Sequence, residues 1–402
     1  MMHTRVAAWT AWFIGSLFYA YQYILRVLPG VLMPDILQRF SIDAATYGQF
    51  SGAYYIGYSL IHIPLGIMLD RFGPKKIMPL YCFITIIGAL PLVMSHWWVY
   101  PTLGRFCMGL GSSAAILGTL KIIRFMFPAA HVARMIGFTF TVGLLGAMYG
   151  GSPLHYMRSL FGYETIIFAL IFLGFILTAL LYICIPEMPT HKTKSIGADI
   201  ITLLTSPTFI VLCLSAGLMM GPLEGFADVW GSGFLRLVYN LDPVFAASLP
   251  SLIFLGMCFG GPVLSFIAET YNAYLPTIIA AAACMMLSFF ALVLGFVPIS
   301  IMGVLFIIIG LCCGDKVLAV HIAPYYAPKE LIGLTSAISN MIIMIFGYFF
   351  HVSIGAVVNA TGGTTNALAY QYGIAVIPVA LLTGMLGFSF VWLTTKKAAT
   401  DL

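Results

Sequence analysis

The chain has 402 residues, of which 61% are hydrophobic and only 8% charged, with a formal net charge of +5. A soluble globular domain carries about a quarter of its residues as charges, so this composition excludes one and makes a bilayer the solvent. The sequence contains no serine triad, phosphate-binding loop, zinc motif or paired catalytic carboxylates, so neither an enzyme, a cofactor nor nucleotide-driven pumping is expected.

A membrane crossing needs about 20 apolar residues in helical form. Runs of that kind lie at 7–32, 45–69, 77–94, 100–120, 136–155, 166–185, 206–231, 246–267, 274–294, 297–319, 331–357 and 369–393. They predict an all-α polytopic membrane protein with twelve transmembrane helices, and they are too long and too evenly apolar for the alternating strands of a β-barrel. The first run is too long and tyrosine-rich for a signal peptide, so it counts as the first helix. All eight cysteines lie inside apolar runs and read as small buried hydrophobes, with no disulfide framework or metal spacing.

The longest polar stretch between helices, PEMPTHKTKSIGAD (186–199), falls near mid-chain. It divides the chain into an N-terminal six-helix half (1–186), a cytoplasmic linker (187–205) and a C-terminal six-helix half (206–402). Two pseudo-symmetric halves are the plan of a duplicated transporter, although a twelve-helix channel or membrane enzyme shares the topology. With the N-terminus in the cytoplasm, twelve basic residues fall on the cytoplasmic side, including Arg71, Lys75, Lys121, Lys192, Lys194 and Lys329. Arg39, Arg158 and Arg236 fall on the other. That bias places both termini inside, and it makes the positive charge a topology signal with no nucleic-acid partner.

The loop after the second helix, GIMLDRFGPKK (66–76), combines Gly66, Asp70, Arg71, Gly73, Lys75 and Lys76. It resembles the signature loop of the major facilitator superfamily in spacing and in position. Gly66 is expected to let the second helix approach a partner closely, Asp70 to cap a helix N-terminus in the other half, and the basic residues to stay at the headgroups. GRFCMGLGSSAA (104–115) resembles the family's fourth-helix motif. GLLGAMYGG (143–151) resembles its fifth-helix motif, with Ala147 where many members have proline, and GGPVLSFIAETYNAY (260–274) looks like a decayed second copy of the loop.

Charges inside transmembrane helices cost roughly 2.5–3.5 kcal/mol each and mark pathways or coupling sites. Here they are Arg26, Arg105, Glu224, Asp228, Asp315 and Lys316. Arg26 on the first helix and Glu224 on the seventh stand at similar depths in corresponding helices. Arg26 is suited to fork onto a carboxylate while Glu224 or Asp228 receives an ammonium, although snorkelling or a gating ion pair would also account for Arg26. Tyr23 beside Arg26, and Tyr54 with Tyr58 on one face of the second helix, are candidate lining residues, whereas Tyr55 reads more as part of an interfacial belt. Arg105 lies near enough to the start of the fourth helix to snorkel, and its motif also points to coupling. Asp315 and Lys316 are adjacent, so they point about 100° apart; Asp315 is a protonation candidate and equally a structural partner for Asn340 or a terminal backbone group, and Gly310 and Gly314 around them imply close helix contact. His62, His155, His321 and His351 read as hydrogen-bonded packing residues.

FYAYQYILRVLPG (18–30) together with YGQFSGAYYIGYSLIHIPLGIMLDRFGPKK (47–76) resembles the Pht-like proteobacterial intraphagosomal amino-acid transporters. GRFCMGLGSSAAILGTLKIIRFMF (104–127) and GLTSAISNMIIM (333–344) add to that likeness. The resemblance implies a monomeric inner-membrane importer of an amino acid, coupled to protons, with nucleosides as cargo of some members. Organophosphate antiporters also place tyrosines and an arginine on the first helix, but Glu224 and Asp228 would repel a dianion; multidrug export, a channel or a non-transporting sensor follow.

Overall fold

The computed structural model describes residues 5–189, 197–327 and 331–400, and all of its regular structure is helical. Much of the linker expected over 187–205, with Lys192 and Lys194, lies outside the described residues, as does Lys329. The first six long helices are α1 (Arg5–Phe40), α2 (Ala44–Leu60 and His62–Phe72), α3 (Pro74–Met94), α4 (Val99–Met126), α5 (Ala129–Gly150 and Ser152–Phe161) and α6 (Tyr163–Cys184). After a short linker helix, Gly197–Leu204, come α7 (Pro207–Val238), α8 (Pro243–Thr270), α9 (Tyr274–Val293), α10 (Ile299–Tyr326), α11 (Ile332–Ala360) and α12 (Ala367–Thr400).

Among the described residues, nine of these stretches are long and apolar enough to cross a membrane, and the bent pairs α2 and α5 bring the number to 11. α1, expected as the first of twelve spans, is not among them. Its 36 residues give it ample length, but Tyr19, Tyr21, Gln22, Tyr23 and Arg26 dilute its apolar character. The bends have local causes. Pro64 cannot donate to the Leu60 carbonyl, and α2 turns by 48° there; Pro153 follows Gly151 at the 40° bend of α5.

Contacts divide the chain into two compact units, one of Met1–Ile42 with Gln49–Lys194 and the other of Asp43–Gly48 with Ser195–Leu402. Within a bilayer, helices gain little from burying apolar surface against one another, so close backbone packing carries their association. In the first unit a side chain on Gly57 (α2) would strike the Phe106 carbonyl, and one on Gly109 (α4) the Tyr54 carbonyl. In the second unit, Gly256 (α8) meets the Ile307 carbonyl and Gly310 (α10) the Ile253 carbonyl. Each glycine follows by three residues, on its own helix, the residue whose carbonyl its partner meets. The two units therefore repeat one reciprocal contact. The fifth-helix glycines serve the same end: Gly146 lies against the Ala20 carbonyl of α1, and a Cβ on Gly143 would come within 2.5 Å of the Tyr19 ring.

The signature loop differs from expectation in two respects. A Cβ on Gly66 would meet nothing within 4 Å, so this glycine makes no close helix contact in the structure. Asp70 pairs with Lys121 Nζ of α4 at 2.7 Å, and the same ammonium donates to the Leu69 carbonyl at 2.7 Å. The carboxylate is thus held inside its own unit, by a lysine that the charge-bias reading counted only as a topology marker. Gly73 has the left-handed φ of 78° that lets α2 end and α3 begin at Pro74. At the opposite end of α1, Arg158 grips Asp35 through Nε and Nη2, and Arg39 pairs with Glu164 at 2.7 Å.

α2 begins on a side-chain cap, in which Asp43 Oδ1 accepts the Thr46 N–H at 2.8 Å. That hydrogen bond holds the Asp43 carboxyl below its ordinary range. We expect Asp43→Ala to cost about 1 kcal/mol or less at pH 7. The cap acts through the ionised form, so the deficit is full above the unfolded carboxyl value of about 4 and fades as pH falls through the lowered folded value. Melting curves of both proteins from pH 7 to pH 3 check this. Gly109→Ala should destabilise the purified protein by about 1–3 kcal/mol, because the new methyl meets backbone, while Gly66→Ala leaves its melting temperature unchanged.

Candidate functional site

The first unit gathers Arg26 and Tyr23 from α1, Tyr54, Tyr55 and Tyr58 from α2, and Arg105 from α4. Arg26 is only 5% exposed, so it does not snorkel. Its guanidinium lies over the Tyr23 ring at 5.0 Å and the Tyr55 ring at 5.3 Å. Desolvated cation–π contacts of this kind contribute about 2 kcal/mol and keep a charge in a site that lipid would not accept. Tyr55 is fully buried, which corrects its reading as a belt residue. Tyr54 donates its hydroxyl to Gln22 Oε1 of α1 and stacks on Tyr58 at 6.0 Å. The Tyr58 carbonyl bonds His62 Nδ1 at 2.7 Å, as expected of a packing histidine.

Arg105 is 1% exposed and does not snorkel either. Nη1 donates to the Leu25 carbonyl at 2.7 Å and Nη2 to the Arg26 carbonyl at 3.3 Å, both on α1. The guanidinium also lies 4.9 Å from the Tyr54 ring centre. The fourth-helix arginine therefore binds the backbone of the very turn that carries Arg26.

In the second unit the other charges lie on altered backbone. α7 is not a uniform α-helix: Gly221–Trp230, which includes Glu224 and Asp228, is wound as a π-helix. Pro222 stands in the first turn of that segment, where its missing N–H is not needed. Glu224 is 0% and Asp228 2% exposed. Phe226, between them, packs on Phe234, Phe289 and Phe306, while Trp230 meets Tyr370 at 6.2 Å. α10 breaks at Cys313–Gly314, just before the charges. A side chain on Gly314 would strike the Gly260 backbone, so the glycines of GLCCGDK do mediate close helix contact. Asp315 is buried, and Lys316 Nζ lies 2.9 Å from Met344 Sδ of α11, a soft neighbour that the sequence did not single out.

The structure thus buries five of the six membrane charges singled out in the sequence, Arg26, Arg105, Glu224, Asp228 and Asp315, and leaves Lys316 half-buried. Arg26, Tyr23, Tyr54 and Tyr58 come together with Arg105 in the first unit. Glu224 and Asp228 share one segment of the second, with Asp315 and Lys316 at a break in a neighbouring helix.

The Major Facilitator Superfamily model matches residues 12–351. The chain is 22% identical over 410 residues to the probable galactarate/D-glucarate transporter GudP of Escherichia coli K12, covering 89% of each protein. It is 31% identical to the uncharacterised transporter YybO of Bacillus subtilis over 129 residues, a match that spans only 30% of this chain and 29% of that relative. Matches to a quinolone resistance transporter of Acinetobacter baumannii and to a Mycobacterium tuberculosis transporter likewise span under a third of those proteins. Among solved structures, a bacterial homologue of the human lysosomal transporter Spinster superposes with a TM-score of 0.77 at 15% identity over 99% of both chains. The nucleoside transporter NupG does so at 0.77 and 14% identity, over 96% of this chain and 99% of the other. With a family match across most of its length, the chain belongs to the Major Facilitator Superfamily, and its long apolar helices make it a multi-pass membrane protein.

Proposed function

We propose that this transporter is a proton-coupled importer of an amino acid or a similar small zwitterion, working as a monomer by alternating access. In this reading it sits in a bacterial inner membrane with both termini cytoplasmic. The observation that carries it is the division of buried charge: Arg26 is held among tyrosines in one unit, and Glu224 and Asp228 on a π-helical segment in the other. Charges cost several kcal/mol in a membrane, and a zwitterion uses both signs. Arg26 receives the carboxylate through its fork, Glu224 or Asp228 receives the ammonium, and Tyr23, Tyr54 and Tyr58 line the site. Asp315, buried on α10 beside Lys316, takes the coupling proton, and the 66–76 loop is the cytoplasmic gate.

A second reading is an organic anion, favoured by the relatives named for galactarate/D-glucarate and L-galactonate transport in Escherichia coli. In that case the carboxylate still meets Arg26, but Glu224 and Asp228 oppose any second anionic group.

Purified protein in proteoliposomes should take up its substrate with saturation, counterflow and acceleration by an inward proton gradient. A flux that does not saturate would mean a channel. A thermal-shift screen of amino acids, nucleosides and sugar acids finds the ligand, because only a bound ligand raises the melting temperature. Arg26→Ala should weaken binding of the amino acid about 10- to 100-fold, the worth of a charge-assisted hydrogen bond, and binding of the matching decarboxylated amine far less. Equal losses for both ligands would remove Arg26 from the substrate.

A further inference from the structure

In an α-helix the carbonyl of residue i accepts the N–H of residue i+4. The residue four beyond Leu25 is Pro29, which has no N–H to give. In water the orphaned carbonyl would be hydrated; inside a membrane it must find a donor within the protein, or the helix must deform. The donor present is Arg105 Nη1, at 2.7 Å from the Leu25 carbonyl. Nη2 reaches the next carbonyl, that of Arg26, at 3.3 Å.

We propose that Arg105 is a positioning residue: its guanidinium replaces the hydrogen bond that Pro29 cannot donate and so fixes the turn of α1 that presents Arg26. Its rival role, carrying the coupling proton, is poorly suited to a guanidinium, which keeps its proton at any pH a cell reaches.

The second unit supplies an internal control. Arg105 immediately precedes Phe106, whose carbonyl Gly57 meets; Phe306 immediately precedes Ile307, whose carbonyl Gly256 meets. Phe306 points at α7, packing on the Phe226 ring at 5.5 Å. The Phe226 carbonyl is satisfied by the Gly231 N–H of its own helix. Where the repeat orphans no carbonyl at this contact, a phenylalanine stands in place of the arginine.

The hydrogen-bond replacement stands on this geometry alone; that the fixed turn serves substrate binding rests on the function proposed above. A double-mutant cycle separates the two. Arg105→Met keeps the length and removes the donors, Arg105→Lys keeps one long donor, and Pro29→Ala restores the missing N–H. We expect Arg105→Met to lower the melting temperature of the detergent-purified protein and to reduce saturable uptake about tenfold, with Arg105→Lys losing much less. In the Pro29→Ala background the same Arg105→Met change should lower the melting temperature little and cost uptake no more than about twofold. If Arg105→Met alone fails to fold, recovery of monodisperse protein on adding Pro29→Ala supports the proposal equally, and failure to recover overturns it. An equal loss of melting temperature in both backgrounds also overturns it. The competition ratio between an amino acid and its decarboxylated amine reports Arg26: it should collapse in Arg105→Met and return in the double variant. Coupling in melting temperature without any change in that ratio leaves the splint standing and removes Arg26 from the substrate site.

Discussion

A bilayer offers the polypeptide backbone no hydrogen bonds, and the local departures in this molecule follow from how it answers that demand. Most of the chain answers it by being α-helical. Three buried threonine hydroxyls bond back to their own helices: Thr85 to the Tyr81 carbonyl at 3.0 Å, Thr119 to Ala115 at 2.6 Å and Thr139 to Met135 at 2.9 Å. Where a proline removes a donor, two answers are seen: α2 bends at Leu60, and α1 borrows a guanidinium from α4 at Leu25, next to the buried Arg26.

Satisfied helices still have to find one another, and lipid supplies no apolar driving force for that. The reciprocal glycine contacts Gly57–Phe106 and Gly109–Tyr54 bring α2 and α4 to backbone distance, and Gly256–Ile307 with Gly310–Ile253 does the same for α8 and α10. The correspondence continues into the following loop. Glu269 lies as far beyond Ile253 as Asp70 lies beyond Tyr54, and Asn272 as far as Gly73. Gly73 and Asn272 both have positive φ, at 78° and 47°. The second copy of the loop has lost its basic residues and kept its backbone.

Much of this was legible in the sequence. Run lengths give the helices, and the glycines of GLCCGDK announce close packing. The site was legible in its residues and less so in their directions. Tyr55 reads as a belt residue because helix faces cannot be told apart when every face is apolar, yet it holds Arg26. The ion pair of Asp70 with Lys121 joins positions with no periodic relation, so spacing cannot announce it. Arg105 reads as a coupling or snorkelling residue because a carbonyl acceptor leaves no side-chain signature; the one hint is Pro29, four residues beyond Leu25.

Between the two units the backbone contacts repeat and the membrane charges do not. The first unit buries two guanidiniums, Arg26 and Arg105, one of them spent on α1 itself; the second buries the carboxylates Glu224, Asp228 and Asp315. Strict duplication of charge would give each unit the same sign and favour a ligand with two like poles. Here the repeat places Phe306 where the other unit has Arg105, and carboxylates on the helix that corresponds to that of Arg26. A scaffold that repeats while its charges diverge in sign is what the proposed cargo, with one anionic and one cationic end, requires.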